Sequence, residues 1–451
     1  PILWILMDTL RADTLYGPTN QFELAPEIGE FAKDALVFTD AESTAGGTIP
    51  ATASLFTGIH NLTMDASAGF VPKWAPTVAE HLYAAGYQTH AVVDNVIVEP
   101  RTGFGAGFES YFQKSSFRFA FSLPGFRILP EWIMMRLRVA LKTFYFGAPG
   151  VTAEAVRKIE EAGDNPLFLY VHYMDPHAPY DAHLDIAPDP EGAEPIFYYE
   201  WRDHLLNGGK ERPTPGQQVM LKHRYETEVT YMSRHIKALL AAWYKRYGKS
   251  GLIMFVADHG EEFLEHGNYG HGTSVHRELV NIPLLLQFPE GSLPAGKEKG
   301  LVVEPISLVD VLPTTLDAVG VTPIKGDGDF SIQGQSQWPW LKGEAEYKAR
   351  PILATHSRNK RRAYRYREQS DVYLKTTFYD GRVWRGFYQL DSDPHELTNL
   401  MEGEFTVPNI EKALSTRFEV AAKGLSHAQS ALSEEEKDAS EESLRAIGYI
   451  Q

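Results

Sequence analysis

The 451-residue chain contains no cysteine. Its absence excludes disulfides, thiolate-held zinc, iron–sulfur clusters and a thiol nucleophile, and it leaves the redox compartment open. Basic residues are also in deficit. Lys and Arg number 43 against 59 Asp and Glu, a formal charge of −16, which argues against a nucleic-acid-binding surface. There is no uncharged apolar run of the about 18 residues a membrane-spanning helix needs. No secretory leader is visible either. However, the chain begins without Met on Pro1-Ile-Leu-Trp-Ile-Leu-Met7, already a buried-strand pattern. The expectation is therefore a trimmed chain whose compartment stays open.

What is present is an ordinary globular composition. Hydrophobic residues make up 43%, enough to fill a sizeable core, and charged residues 23%, too few for a disordered chain. Short apolar runs at Ile2–Met7, Thr89–Val93, Leu167–His172, Leu252–Ala257 and Pro283–Phe288 alternate with helical patterns at Thr77–Ala85, Ala153–Ala162 and Gln217–Tyr247. Runs that are apolar throughout belong to strands covered on both faces. The expected fold is therefore an α/β/α sandwich around a mostly parallel sheet, with ligands at the carboxyl ends of its strands. After about residue 345 the texture becomes that of short antiparallel strands (Ile352–Thr355, Ala363–Arg367, Tyr373–Phe378, Gly386–Gln389) and an acidic terminal helix. This divides the chain into a catalytic domain, 1–345, and a smaller α+β subdomain, 346–451.

Three strand ends carry chemistry. Asp8 closes the first apolar run, where a carboxylate is costly unless it binds a metal or caps the next turn. Thr48 follows Gly46-Gly47 and precedes Pro50, at the start of a helix that Gly58 would end. A hydroxyl there is an N-cap, or a nucleophile whose alkoxide a metal stabilises. Asp258 and His259 end the fourth run, and Gly260 permits the tight turn that lets both reach one ion. An imidazole beside carboxylates suits Zn or Mn better than Ca or Mg. Taken together, the three ends favour one metal-activated hydroxyl over three unrelated caps.

These residues resemble the sulfatase branch of the alkaline phosphatase superfamily. Asp8-Thr-Leu-Arg-Ala-Asp13 is similar to that family's first metal strand. Thr48-Ile-Pro-Ala-Thr-Ala-Ser-Leu-Phe-Thr-Gly58 is similar to its signature Cys/Ser-x-Pro-x-Arg-x-Ser-Leu-Leu-Thr-Gly. Phe168-Leu-Tyr-Val-His-Tyr-Met-Asp-Pro-His177 resembles its substrate-histidine strand, and the stretch Asp258–Gly267 with Gly270-His271-Gly272 its second metal strand and loop. Phe387–Leu400 and Leu444–Ile450 resemble its C-terminal subdomain, so the similarity runs nearly the whole length in order.

The departures are chemical. Thr48 replaces the Cys or Ser that becomes formylglycine, and Thr52 replaces the Arg of the maturation motif. Oxidised threonine would be a ketone, so no formylglycine is expected. The family's Gly-Lys-Trp-His segment gives way to Val92-Val-Asp94-Asn95-Val96. A Thr nucleophile with an Asp/Asp/His set looks instead like the phosphoethanolamine and phosphoglycerol transferases and Thr-type phosphodiesterases, and Tyr269-Gly-His271-Gly272 resembles the Tyr-Leu-His-Gly of the former. Those enzymes often place Glu where this chain has Asp8.

The resemblance implies one divalent ion on Asp8, Thr48, Asp258 and His259, with a second, weaker one open. It also implies attack by Thr48 on a phosphate ester, and His177 and His271 as anion binders or leaving-group acids. Asn95 is a candidate substrate-side donor. His172 reads as a core histidine, Arg11 as a support behind the site or as structural, and His266 as either a support acting through Glu261 or Glu262 or a surface residue. A sulfuric-ester hydrolase using unmodified Thr is the alternative, and a silent binding module the third reading. Residues 114–146 carry six basic residues (Lys114, Arg118, Arg127, Arg136, Arg138, Lys142) against the single acid Glu131, interleaved with aromatics such as Phe126 and Trp132. The stretch is either a cap over the site or a contact for a membrane surface and a lipid-like anionic substrate. The oligomeric state is open.

Overall fold

Six residues in a row, Ile2–Met7, are fully buried and form the central strand β1. An apolar side chain at every position fits a strand with helices on both sides. The computed structural model describes residues 1–17, 19, 21–64, 71–113, 146–181, 183–194, 213–326, 331–358, 361–378 and 381–401. In chain order the strands after β1 are β2 (Leu36–Glu42), β3 (Gln88–Val93), β4 (Ser110–Gln113), β5 (Leu167–Tyr173) and β6 (Leu252–Val256). The short β7 (Glu262–Phe263) and β8 (Tyr269–Gly270) form a separate pair, and β9 (Asn281–Gln287), β10 (Gly300–Val302) and β11 (Ile306–Ser307) follow. The main sheet runs β10-β2-β9-β6-β1-β5-β3-β4, with β11 also pairing with β2. Its described pairings are parallel except where β9 runs against β2 and β6.

The expected mostly parallel α/β sheet is what the chain adopts. The strands β1, β3, β5 and β6 lie within a parallel block, with Met7 beside Tyr173, Val93 beside His172 and Leu6 beside Val256. Their carboxyl ends therefore open on the same edge. The helices pack in two sets. The Gly147–Glu161 helix lies on β3 and β5 and against the long Pro215–Tyr247 helix. The Thr48–Thr57 helix packs with Val78–Ala84 and Val311–Ala318. The long helix begins with a capping box, Thr214 with Gln217, and has Pro215 in its first turn, an arrangement that satisfies its free N–H groups.

Beyond residue 345, β12 (Ile352–Arg358), β13 (Arg361–Glu368), β14 (Asp371–Phe378) and β15 (Val383–Gln389) form an antiparallel sheet. The expected terminal helix lies outside the described residues, as do 114–145 of the basic aromatic stretch. Among the described residues, no helix is long and apolar enough to cross a membrane.

The small sheet is fixed to the body by a buried ionic seam. Arg365 is fully buried, with Nε and Nη2 each 3.1 Å from the carboxylate oxygens of Glu42 and Nη1 2.5 Å from Glu396. Arg367 adds bonds to Glu42, at 2.7 Å, and to both oxygens of Asp40. Burial alone would raise Glu42, but the two guanidinium groups outweigh it and hold Glu42 down at about 2.

Candidate active site

The turn after β1 presents Asp8 with no solvent exposure. Its Oδ2 accepts from Asn95 Nδ2 at 2.7 Å and lies 3.0 Å from His172 Nε2. Its Oδ1 is buried with no hydrogen-bond partner. Asp8 caps no helix: the next one, Ala12–Tyr16, follows Arg11 without a side-chain cap.

Asp258 mirrors it at the end of β6. Its Oδ1 accepts from the backbone N–H groups of His259 (2.8 Å) and Thr9 (3.2 Å), while Oδ2 is buried and unpartnered. His259 donates from Nδ1 to the Gly260 carbonyl at 2.9 Å, so in the neutral ring Nε2 carries the lone pair. That Nε2 lies 3.5 Å from Asp258 Oδ2 and 3.9 Å from Asp8 Oδ1. A side chain at Gly260 would meet the Glu278 carbonyl at 2.0 Å, so the backbone approach that makes this turn requires glycine.

Thr48 is the first residue of its helix. The N-cap is Gly47, with no side-chain cap bond, and the helix ends at Gly58, whose φ of 64° is left-handed. The hydroxyl is therefore not spent on capping. It lies 3.2 Å from His259 Nε2.

Two carboxylate oxygens without partners and an imidazole lone pair, all buried, suit a divalent cation. Asp8, Asp258 and His259 each offer a ligand atom within 4.8 Å of the others. A buried carboxylate pair is costly without a counter-charge. Burial and the charge of Asp8 push Asp258 up to about 6. Burial would raise Asp8 too, but the His172 hydrogen bond and neighbouring histidines outweigh it and hold Asp8 well below its usual range.

His177 and His271 sit beside this group. Their ring centres are 4.7 Å apart, and His271 is also 4.7 Å from His259. His177 donates from Nδ1 to the Ala178 carbonyl, and burial followed by the charge of His271 lowers its pKa to about 4. His271 Nδ1 lies 2.8 Å from Glu261, which also accepts from Tyr180 at 2.9 Å. Burial pushes Glu261 up to about 7. The Gly272 N–H bonds to the Gly46 carbonyl at 2.7 Å, tying the His271 loop to the segment that presents Thr48.

Three placements differ from the sequence reading. Asn95, expected to face substrate, uses its amide on Asp8 and accepts from the Ile97 N–H at 2.9 Å. The strand order carries the end of β3 toward β1, so Asn95 holds the carboxylate. His172 is no plain core residue: it stands 3.0 Å from both Asp8 and the Tyr170 hydroxyl. With Nε2–H facing the carboxylate, Nδ1 accepts from Tyr170. The available signal was Tyr170 and His172, two polar groups on one face of an otherwise apolar strand. His266 supports neither Glu261 nor Glu262. It lies 2.6 Å from Glu278 and 2.8 Å from the Glu396 carbonyl, and its ring stacks on His276 at 3.7 Å. Arg11 is bound to Asp13, Glu265 and the Glu261 carbonyl.

A hydroxyl at a helix start, a buried Asp/Asp/His group and two further imidazoles are gathered at one edge of a mostly parallel sheet, an arrangement that suits a divalent cation beside a nucleophile. The sulfatase family model matches residues 1–321, and the chain belongs to the sulfatase family. An arylsulfatase of Clostridium perfringens is 21% identical, covering 89% of this chain and 90% of its own. Among solved structures, a 2-O GAG sulfatase superposes with a TM-score of 0.67 at 17% identity, covering 95% of this chain and 92% of its own. The phosphonate monoester hydrolase of Silicibacter pomeroyi gives 0.65 at 18% identity, covering 96% of each chain. Members of the family bind a divalent metal, and the Asp8–Asp258–His259 group fits one.

Proposed function

We propose that this protein cleaves a phosphate ester, most readily a phosphodiester, through a covalent phospho-threonine at Thr48. The observation that carries the reading is Thr48 itself. A threonine stands where formylglycine would be made, its hydroxyl is free of capping duty, and it lies 3.2 Å from His259 Nε2. A divalent ion, Mn or Zn by the ligand set, would neutralise the Asp8 and Asp258 charges and favour ionisation of a hydroxyl beside it. Thr48 Oγ1 then attacks phosphorus as the bond to the leaving alcohol breaks. His271, oriented by Glu261, supplies the leaving group's proton, while His177, kept neutral by burial with its Nδ1–H on the Ala178 carbonyl, has its Nε2 available to accept one. Water or an acceptor alcohol displaces Thr48 in the second step and restores the hydroxyl. The substrate is an anionic ester, and the basic aromatic stretch 114–146 supports a lipid-like one.

A second reading has specific support. The related proteins include arylsulfatases, so the same residues acting on a sulfuric ester through unmodified Thr48 is the competing proposal. Metal-reconstituted protein assayed in parallel on aryl phosphodiester and aryl sulfate substrates separates the two. Thr48→Ala should abolish turnover of the preferred ester while the far-ultraviolet spectrum stays unchanged. Full activity in Thr48→Ala would exclude the covalent mechanism, and faster sulfate cleavage would select the second reading.

A further inference from the structure

The turn that carries Asp8 is held in an unusual backbone state. Thr9 has φ of +57°, a left-handed conformation that β-branched residues rarely adopt. Its side chain does not explain this, because Thr9 Oγ1 is buried without a partner. The backbone ties do. Tyr225, fully buried on the long Pro215–Tyr247 helix, donates its hydroxyl to the Thr9 carbonyl at 3.0 Å and accepts from the Arg11 N–H at 2.9 Å. One phenol oxygen thus bridges both ends of the turn. With the turn closed this way, the Thr9 N–H lies 3.2 Å from Asp258 Oδ1. The Asp8 N–H bonds to the Tyr173 carbonyl at 2.9 Å. The ring of Tyr225 is fixed between Tyr180 and Phe263, with centres 5.7 and 5.0 Å away.

We propose that Tyr225 is a positioning residue for the metal-binding carboxylates. Its hydroxyl locks the Asp8–Arg11 turn in the left-handed Thr9 conformation, which fixes Asp8 and aims the Thr9 N–H at Asp258. The proposal rests on the reading that Asp8, Asp258 and His259 hold a divalent cation. It reaches beyond that reading to a residue 214 positions from Arg11 in sequence, on a helix that contributes none of the three ligands. Groups that orient metal ligands typically cost ten- to a hundredfold in metal affinity when lost.

The test is Mn2+ binding by calorimetry on the 451-residue chain stripped with a chelator. Tyr225→Phe keeps the ring and its packing and removes only the hydroxyl. Its Mn2+ Kd should weaken at least about tenfold. Tyr16→Phe is the control. Tyr16 is also buried and also bridges two peptide groups, donating to the Phe38 carbonyl and accepting from the Leu284 N–H, but on β2 and β9, which carry no ligand. Its Mn2+ Kd should match wild type. The rescue variant is Thr9→Gly combined with Tyr225→Phe. Glycine takes positive φ without strain, so the double variant should recover most of the lost affinity, which a merely structural role would not allow. Wild-type affinity in Tyr225→Phe, equal weakening in Tyr16→Phe, or no rescue by Thr9→Gly would overturn the positioning role. Wild-type protein that binds neither Mn2+ nor Zn2+ would instead overturn the underlying metal reading.

Discussion

Two clusters of buried carboxylates in this molecule obey opposite accounting. At the seam between the body and the small sheet, Glu42 and Glu396 have no more than 1% exposure, and the guanidinium groups of Arg365 and Arg367 face Glu42 while Arg365 also reaches Glu396. At the strand ends, Asp8 and Asp258 are equally buried, yet one oxygen of each has no partner, and no Lys or Arg is bonded to either among the described residues. The first cluster carries its own cations and is a fastening. The second is short of positive charge by an amount that one divalent ion supplies. The seam's satisfaction shows that the fold is capable of pairing buried acids internally, which makes the strand-end deficit informative.

The comparison breaks most sharply when one acid on each side is neutralised. Asp258→Asn should lower turnover by about a thousandfold or more, the scale of losing a charge-stabilising group in a closed site. In metal-free protein the same change should raise the melting temperature, because it removes one of two crowded charges. A lower melting temperature in chelator would show that Asp8 and Asp258 are not in conflict. Glu42→Gln should do the reverse, leaving a buried arginine underpaired and costing about 3–5 kcal/mol in denaturant unfolding. Its effect on metal affinity should be negligible. A Glu42→Gln variant of wild-type stability would make the seam ornamental.

Acid titration separates the clusters more gently. Glu42 falls from an ordinary 4.5 to about 2 in the folded protein, so its stabilisation is fully present above pH 4.5 and is lost as pH drops toward 2. That amounts to roughly 3 kcal/mol. Glu396 is also depressed, since Arg365 and His276 outweigh the burial that would raise it, and it acts in the same direction. Unfolding free energy measured from pH 6 down to pH 2 should therefore decline steadily in wild type and markedly less in Glu42→Gln. Equal slopes would place the acid-sensitive group elsewhere.

The sheet was legible because burial on both faces leaves no choice of side chain. Ile2–Met7 reads as a strand by apolarity alone, and the strand has those bounds. The direction of β9 was not legible, since Asn281–Gln287 is fully buried and would look the same either way. The strand β2 escaped notice because Thr39 and Asp40 interrupt its apolar run. Asp40 and Glu42 are there for the seam, whose partners lie 323 to 327 residues away. At the site, Asp8, Asp258 and His259 at strand ends and Thr48 at a helix start stood out because polar groups there need a reason. Of the residues that aim them, Asn95 stood out only as a group for substrate, and Tyr225 did not stand out at all. Asn95 and Tyr225 reach Asp8 and its turn only through the strand order and the long helix, which spacing along the chain does not encode.

His172 gives the smallest and most discriminating prediction. It resembles a core histidine in burial and position, but a core histidine would be indifferent to metal. Its Nε2 faces the Asp8 oxygen that also takes the Asn95 amide, and its Nδ1 faces Tyr170. Two donors on Oδ2 fix the carboxylate's rotation and leave Oδ1 toward Asp258 and His259. His172→Phe should therefore weaken Mn2+ binding about tenfold, because Asn95 alone still holds Asp8. His172→Gln, which keeps a donor N–H, should recover part of that loss. If both variants bind Mn2+ like wild type, Asp8 needs no second holder, and the contrast between a self-satisfied seam and a site built to receive a cation would rest on the unpaired oxygens alone.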